Sequence, residues 1–248
     1  MNDLFADTPS DRPEEVTPHT AAQSASAPRP VTDTPPTNPN PMLDALLDHG
    51  KLWRGGQMTT NAHVIPTGHA VLDPFLPGGG WPRAALTEIL LDGPGSGELQ
   101  LVLPALKRLC AADSHDSDRW ISWIAPPYVP YAPALAQAGI NLARMLVVHA
   151  RKGLDVMWAA EQSLRCGTCS AVLMWAPNTN TKALRRLQLA AEEGDSWGVV
   201  FRETRTQREA SPAAVRLRLS TNEQGRTLHL LKSRGGRPLR VAADFLMG

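Results

Sequence analysis

The chain has 248 residues, of which 42% are hydrophobic, and its formal net charge is +1. This length suits one large domain or two small ones, and so small a net charge points to no particular partner. Three cysteines without a paired framework exclude a disulfide-rich secreted domain and favour a reducing compartment. Because the sequence has neither a signal-peptide pattern nor a run of roughly 20 apolar residues, we expect a cytoplasmic protein that does not associate with a membrane.

The N-terminal region has the composition of a tail. Residues 1–41 hold nine of the 22 prolines, six acidic and two basic residues, and almost no large apolar side chains. Such a segment cannot bury enough surface to offset its ordering entropy, which predicts disorder, with a tether or docking motif as the functional alternative. Residues 42–64 are interpreted as a helical or linker segment, because Met42 to Leu47 has helical spacing.

Residues 65–205 alternate between apolar runs and amphipathic segments, which indicates an α/β core. The predicted strands are Leu86–Leu91, Trp120–Ala125, Met145–His149, Ala171–Trp175 and Trp197–Phe201. The predicted helices are Glu98–Ala112, which Pro104 should kink, Pro133–Ala138, Leu154–Arg165 and Thr181–Glu193, with Asn180 or Thr179 as the last N-cap and Gly194 as its stop. This order predicts a mostly parallel central sheet flanked by helices on both faces.

The C-terminal region, residues 206–248, is basic, with eight basic and three acidic residues. Period-two alternation from Ala214 to Leu219, a turn containing Gly225 and a second run from Thr227 to Lys232 predict an antiparallel β-hairpin at the sheet edge. Residues 233–248 are predicted to form a flexible basic tail.

A glycine-rich turn between the first predicted strand and helix has the form of a phosphate-binding loop. The working pattern is G-x-x-x-x-G-K-[ST], in which backbone N–H groups and the Lys hold phosphates and the hydroxyl holds Mg²⁺. With Gly97 as the second glycine, Glu98 stands at the Lys position and Leu99 at the hydroxyl position. The degenerate loop comprises Asp92, Gly93, Gly95, Gly97, Glu98 and Leu99. Because two carboxylates would face a polyanion, we expect no cofactor and no metal here.

The segment before this turn resembles the one that leads into the core of RecA and its relatives. The resemblance is carried by Pro66-Thr67-Gly68, Leu72-Asp73, Leu76 and Gly78-Gly79-Gly80. It implies a RecA-like fold, whose active members place a catalytic Glu after the second strand and a metal-orienting Asp after a later one. Ala125-Pro126-Pro127 and Ala176-Pro177-Asn178 stand there instead. Phosphoryl transfer needs positioned cations and an oriented water, so we expect no catalytic residues and no enzymatic activity; a divergent nucleotide-binding ATPase is the less favoured alternative.

Within this superfamily the ordered chain resembles the ImuA family, whose members are associated with translesion DNA synthesis. The motifs are Leu52-Trp53-Arg54, Gly97-Glu98-Leu99-Gln100, Leu103-Pro104-Ala105-Leu106, Pro130-Tyr131-Ala132-Pro133, Trp158-Ala159-Ala160-Glu161-Gln162 and Leu184-Arg185-Arg186-Leu187. The resemblance implies a non-catalytic adaptor in SOS-induced mutagenesis. Its expected partners are ImuB, which is a Y-family polymerase relative, an error-prone DnaE-type polymerase, and RecA. Residues 119–202 also resemble the cell-division inhibitor SulA, which implies the alternative of division inhibition through FtsZ.

Candidate contacts to a partner, or weak contacts to DNA, are drawn from basic and tryptophan residues. They are Trp53, Trp81, Lys182, Arg185, Arg186, Arg216, Arg218, Arg226, Lys232, Arg234, Arg237 and Arg240. The three on the predicted helix Thr181–Glu193 also fit a solvated helix face, and the two tryptophans also fit the core. Arg216 and Arg218, with the later basic residues, could form a patch that binds phosphates or acidic protein surfaces. Glu88 and Asp92 are interpreted as solvated carboxylates.

Overall fold

A computed structural model describes residues 64–150, 153–223, 225–233 and 239–243. The predictions for the tail of residues 1–41 and for the linker up to residue 63 therefore lie outside the described residues. So do those for residues 234–238 and 244–248 of the basic C-terminal region.

In the described part of the chain, eight strands form the main sheet, and two short strands pair beside it. The short pair is β1 (Val64–Ile65) with β2 (Trp81–Pro82), which are antiparallel. The main sheet contains β3 (Leu86–Leu91), β4 (Trp120–Ile124), β5 (Met145–Val148), β6 (Cys169–Trp175), β7 (Trp197–Glu203), β8 (Val215–Asn222), β9 (Gly225–Ser233) and β10 (Leu239–Ala242). Their spatial order is β10-β9-β8-β3-β7-β6-β4-β5.

The sheet is parallel from β5 to β8 and antiparallel beyond. β3 lies in its centre between β7 and β8, and Glu88 is opposite Val200 on one side and Arg216 on the other. All six residues of β3 are buried, because neighbouring strands take its backbone hydrogen bonds and other elements cover both faces. β8, β9 and β10 then continue as an antiparallel meander.

Helices cover both faces of the parallel strands. They are α1 (Glu98–Leu109), α2 (Ala132–Gln137), α3 (Gly153–Arg165) and α4 (Thr181–Glu193). α1 and α2 pack with Ile89, Leu173 and Val199 on one face, here called the α1 face. α3 and α4 pack with Leu86, Val172 and Val200 on the opposite face, the α4 face. Successive residues of a strand point to opposite faces, so one apolar run serves both layers.

The structure confirms the predicted mixed α/β architecture with a central sheet flanked by helices. The bounds of β3 and α4 agree with the sequence interpretation, and the Asn180 side chain accepts a hydrogen bond from the Ala183 N–H at 2.9 Å. α1 runs through Pro104 and ends at Leu109, three residues before the predicted end at Ala112.

The prediction for the C-terminus is wrong in one respect. The hairpin forms from β8 and β9 as expected, but residues 239–242 of the predicted flexible tail form β10. Arg240 is opposite His229, and Val241 is opposite Leu228. β9 would otherwise present a row of unpaired backbone groups, and β10 satisfies them.

Candidate functional site

The degenerate phosphate loop folds into a turn that its own glutamate occupies. Gly95 and Gly97 have φ of +86° and +93°, which favours glycine at both positions. The Gly95 N–H donates to Oε1 of Glu98 at 3.0 Å, and Glu98 is buried. The Ser96 hydroxyl donates to the Gly93 carbonyl at 2.6 Å. A backbone donor that could bind a phosphate is therefore taken by a carboxylate of the same turn.

The remaining loop residues are structural. Leu99 packs partly buried against the core of the α1 face. Asp92 is exposed, accepts a hydrogen bond from the Thr204 hydroxyl at 2.7 Å, and lies 3.6 Å from the Arg218 guanidinium. Asp92 therefore agrees with the interpretation as a carboxylate in contact with solvent.

Glu88 contradicts that interpretation, because it is fully buried and paired. Its Oε1 accepts from Arg202 at 2.6 Å and from Arg216 at 3.2 Å, and the Arg216 Nε lies 3.0 Å from Oε2. Arg202 also donates to the Thr179 carbonyl, and Arg216 donates to the carbonyls of residues 206, 207 and 209. We call Glu88, Arg202 and Arg216 the Glu88 cluster. Through the hydrogen bonds of Arg216, the cluster holds residues 204–209 against the sheet.

Arg216 is consequently not part of a surface patch. The period-two pattern correctly places it on the face opposite Val215 and Leu217, but residues 204–209 cover that face, and only 7% of Arg216 is exposed. The prediction that Trp81 is an exposed partner contact is also wrong. Trp81 is fully buried and stacks on Trp197 with ring centroids 5.6 Å apart. Its alternative interpretation as a core residue is confirmed.

The other basic candidates are dispersed over the surface. Lys182, Arg185 and Arg186 are exposed on α4, where Arg186 binds Glu161 of α3. Lys232 donates to the Ser211 carbonyl at 2.8 Å, and Arg226 lies on the α1 face over Gly97. Trp53, Arg234 and Arg237 lie outside the described residues.

A short basic row crosses the antiparallel strands. Arg218 of β8 is opposite His229 of β9, which is opposite Arg240 of β10. Partial burial, followed by the charges of Arg240 and Arg218, lowers the pKa of His229 below its usual 6.5. Of the residues predicted to form a cationic patch, the structure brings Arg218 and Arg240 together in this row.

A groove that the sequence analysis did not predict lies at the carboxyl ends of the parallel strands. This groove, of about 300 Å³, opens between the glycine turn and the loop that follows β4. We call it the carboxyl-edge groove; its lining is Gly95, Gly97–Gln100, Trp123, Pro126–Tyr131, Trp175 and Arg226. In open α/β sheets, ligands bind at this edge.

The loop beside the groove, residues 126–131, exposes aromatic side chains. Tyr128 is 67% exposed, Val129 84% and Tyr131 72%, while Pro126, Pro127 and Pro130 restrict the backbone between them. Sequence reasoning included Tyr131 only in a motif of family resemblance and missed the loop as an exposed surface. Its signal was present, because apolar and aromatic residues alternate with prolines directly after a buried strand.

A second cavity of about 750 Å³ lies at the N-terminal ends of α3 and α4, and Leu154, Asn178, Lys182 and Arg186 are among its lining residues. In the described part of the chain, no group of three or more His, Cys, Asp or Glu side chains is suited to a metal ion. Among the same residues, no helix is both long and apolar enough to span a bilayer.

Fold and site together define an α/β protein whose glycine-rich turn after the first core strand is occupied by its own Glu98 side chain. Comparison with known proteins identifies the relatives. The family described as "Cell division inhibitor SulA" matches residues 85–198. SulA of Pectobacterium carotovorum is 30% identical over 122 residues, which cover 49% of this chain and 70% of that protein. The chain belongs to the SulA family.

Other relatives show similar extents. SulA of Photorhabdus laumondii is 28% identical over 47% of this chain and 63% of its own length, and that of Yersinia pestis is 31% identical over 42% and 58%. The crystal structure of SulA from Pseudomonas aeruginosa is 26% identical, covers 47% of this chain and 97% of that chain, and has a TM-score of 0.40. The relatives thus match about half of this chain.

Proposed function

We propose that this protein is a non-catalytic member of the SulA family that inhibits cell division by binding a protein partner at the carboxyl-edge groove. The observation that carries the proposal is the exposure of Tyr128 and Tyr131 where an enzyme of this architecture would hold its ligand. Aromatic residues exposed together are typical of protein-binding surfaces. The names of the relatives supply the process, and FtsZ is the proposed partner.

The absence of catalysis is part of the proposal. The Gly95 N–H is engaged by Glu98, and the positions after β4 and β6 are Ala125 and Ala176. Isothermal titration with ATP and Mg²⁺ should give no saturable heat. Saturable binding that is abolished by substitutions between Gly95 and Gly97 would show instead that the turn retains a nucleotide.

The test of division inhibition is direct. Purified protein should reduce the GTP-dependent polymerisation of FtsZ measured by sedimentation, and its overproduction should make cells filamentous. If polymer mass and cell length are unchanged while the protein is folded, division inhibition is wrong.

A second candidate is the adaptor of SOS-induced translesion synthesis, in which the partners are ImuB, a DnaE-type polymerase and RecA. It is favoured by ordered structure outside the matched residues 85–198, namely the β1–β2 pair and the extension from β8 to β10. The basic row of Arg218, His229 and Arg240 lies on this extension and could also contact DNA weakly. Co-purification with ImuB, and loss of damage-induced mutagenesis without the protein, would favour this candidate over division inhibition.

A further inference from the structure

We propose that the carboxyl-edge groove binds an extended peptide segment of the partner through that segment's main chain and apolar side chains. The inference rests on the proposed function, because it specifies what part of a protein partner enters the groove. It is carried by the polar atoms that the groove leaves without partners and by the form of its walls.

Three buried polar atoms of the groove lack hydrogen-bond partners among the described residues. Glu98 is 4% exposed; its Oε1 accepts from Gly95, but its Oε2 has no donor. Trp123 is 2% exposed, and neither its Nε1 nor that of Trp175, which also lines the groove, has an acceptor in the same part of the chain. Buried polar groups are normally hydrogen-bonded, so one acceptor and two donors in a single groove call for a ligand that supplies both complements.

A peptide backbone supplies both complements at every residue, since it carries an N–H donor and a carbonyl acceptor. A phosphate group fits less well, because its oxygens carry negative charge and would lie beside the Glu98 carboxylate. Arg226, which donates to the Gln100 side chain at 2.5 Å, and Glu98 are the charged residues of the groove lining, so the groove offers no net positive charge to a phosphate. The groove chemistry thus favours a peptide over a nucleotide.

The walls favour an extended segment with apolar side chains. Tyr128 and Tyr131 present large exposed rings on a loop that three prolines stiffen, so little conformational entropy is lost when a ligand packs against them. Aromatic grooves with a few hydrogen-bonding groups recognise extended, often proline-containing segments. All three unsatisfied atoms are shielded from water in this conformation, so side chains around them must shift when the peptide enters.

The probe is an array of overlapping peptides covering FtsZ and ImuB, tested with the full-length protein. A Tyr128→Ala/Tyr131→Ala variant should bind the captured peptides at least about tenfold more weakly, as is typical for the loss of central aromatic contacts. Glu98→Gln should also weaken binding, because its amide replaces an acceptor by a donor. The matched control is Trp158→Ala on α3, which removes an aromatic side chain that is 65% exposed and does not line the groove.

The outcomes separate this inference from the proposed function. Capture of peptides by the wild type and Trp158→Ala, with loss in the tyrosine variant, supports the inference. Absence of peptide capture, or equal capture by the folded tyrosine variant, overturns it, even if FtsZ polymerisation is inhibited. Tyrosine-dependent capture without any effect on FtsZ or ImuB would support the peptide site and overturn the proposed function. Thermal unfolding of each variant, followed by circular dichroism, confirms that it is folded.

Discussion

The two edges of the parallel sheet use their side chains in opposite ways. At the amino edge, charged groups are paired: Arg83 holds Asp116 through two hydrogen bonds of 2.6 Å and Asp195 through one of 2.9 Å. Arg119 joins the same network and donates to the carbonyls of Cys169, Gly194 and Asp195. At the carboxyl edge, aromatic side chains are exposed around a groove, and buried polar atoms lack partners.

This contrast separates stability from binding. Carboxylates and carbonyls accept from the guanidinium groups of Arg83 and Arg119, and only the Arg119 Nε of this network lacks an acceptor among the described residues. A network with its polar groups so largely paired leaves little for a ligand to gain. An edge with exposed rings and unsatisfied atoms contributes less to folding and more to recognition. Substitutions at the amino edge should therefore change the free energy of unfolding, whereas those in loop 126–131 should change binding.

The largest expected effect is at the amino edge. Asp116 is 4% exposed, and Asp116→Ala would leave the guanidinium groups of Arg83 and Arg119 without the buried one of the two carboxylates that they share; the other, Asp195, is 57% exposed. Breaking a buried ion pair by removing one partner is strongly destabilising, so we expect a loss of about 3 kcal/mol in the free energy of unfolding, measured with urea.

The control for this substitution is Asp113→Ala. Asp113 is 68% exposed and pairs with the exposed Arg108, so its loss should cost no more than about 0.5 kcal/mol. Equal losses for the two variants would contradict the assignment of a structural role to the Asp116 network.

A smaller effect is expected at the glycine turn of the carboxyl edge. Gly97 has a φ of +93°, and an added Cβ would lie 2.8 Å from the Arg226 guanidinium. We expect Gly97→Ala to lower the free energy of unfolding by about 1–2 kcal/mol, largely from the left-handed backbone. Gly93→Ala is the control, because Gly93 lacks a positive φ and its Cβ would meet no atom within 4 Å. Similar stability of the two variants would show that the turn can relax.

Loop 126–131 should affect stability least of these regions. Replacing Tyr128 or Tyr131 by Ser removes side chains that are 67% and 72% exposed, so the free energy of unfolding should change by less than about 0.5 kcal/mol. A larger loss, measured with urea, would mean that these rings serve the fold, and the contrast between the two edges would disappear.

Much of the fold could be predicted because its signals are local. β3 is a continuous apolar run between breakers, and α4 combines an Asn180 cap with apolar residues at helical spacing. The burial of Arg216 escaped prediction for a physical reason. Arg216 alternates with apolar residues as an exposed side chain does, and only the approach of residues 204–209 makes its face interior.

The candidate site was only partly visible in the sequence. The absence of Lys and of Ser or Thr directly after Gly97 could be read from the sequence, but a side chain that occupies the turn depends on distances that the pattern does not contain. Glu88 looked solvated because its two partners lie more than a hundred residues away in the chain. Tyr128 and Tyr131 gave no catalytic or metal-binding pattern; their alternation with prolines indicates a loop, and the packing around them shows how far the rings are exposed.

The smallest expected effect concerns His229, which lies at neither edge and tests whether the basic row behaves as surface charge. Because its pKa in the folded protein is below 6.5, the unfolded chain takes up a proton first as pH falls. The stability that this residue contributes is therefore complete above pH 6.5 and is lost as pH falls through the folded pKa.

The unfolding free energy of the wild type should decline more steeply below pH 6.5 than that of His229→Gln. Arg240→Gln should reduce this decline, because the charge of Arg240 is, after burial, the next largest cause of the lowered pKa, whereas Arg185→Gln on α4 should leave it unchanged. An NMR titration that places the folded pKa of His229 above 6.5 would reverse the sign and exclude repulsion within the row.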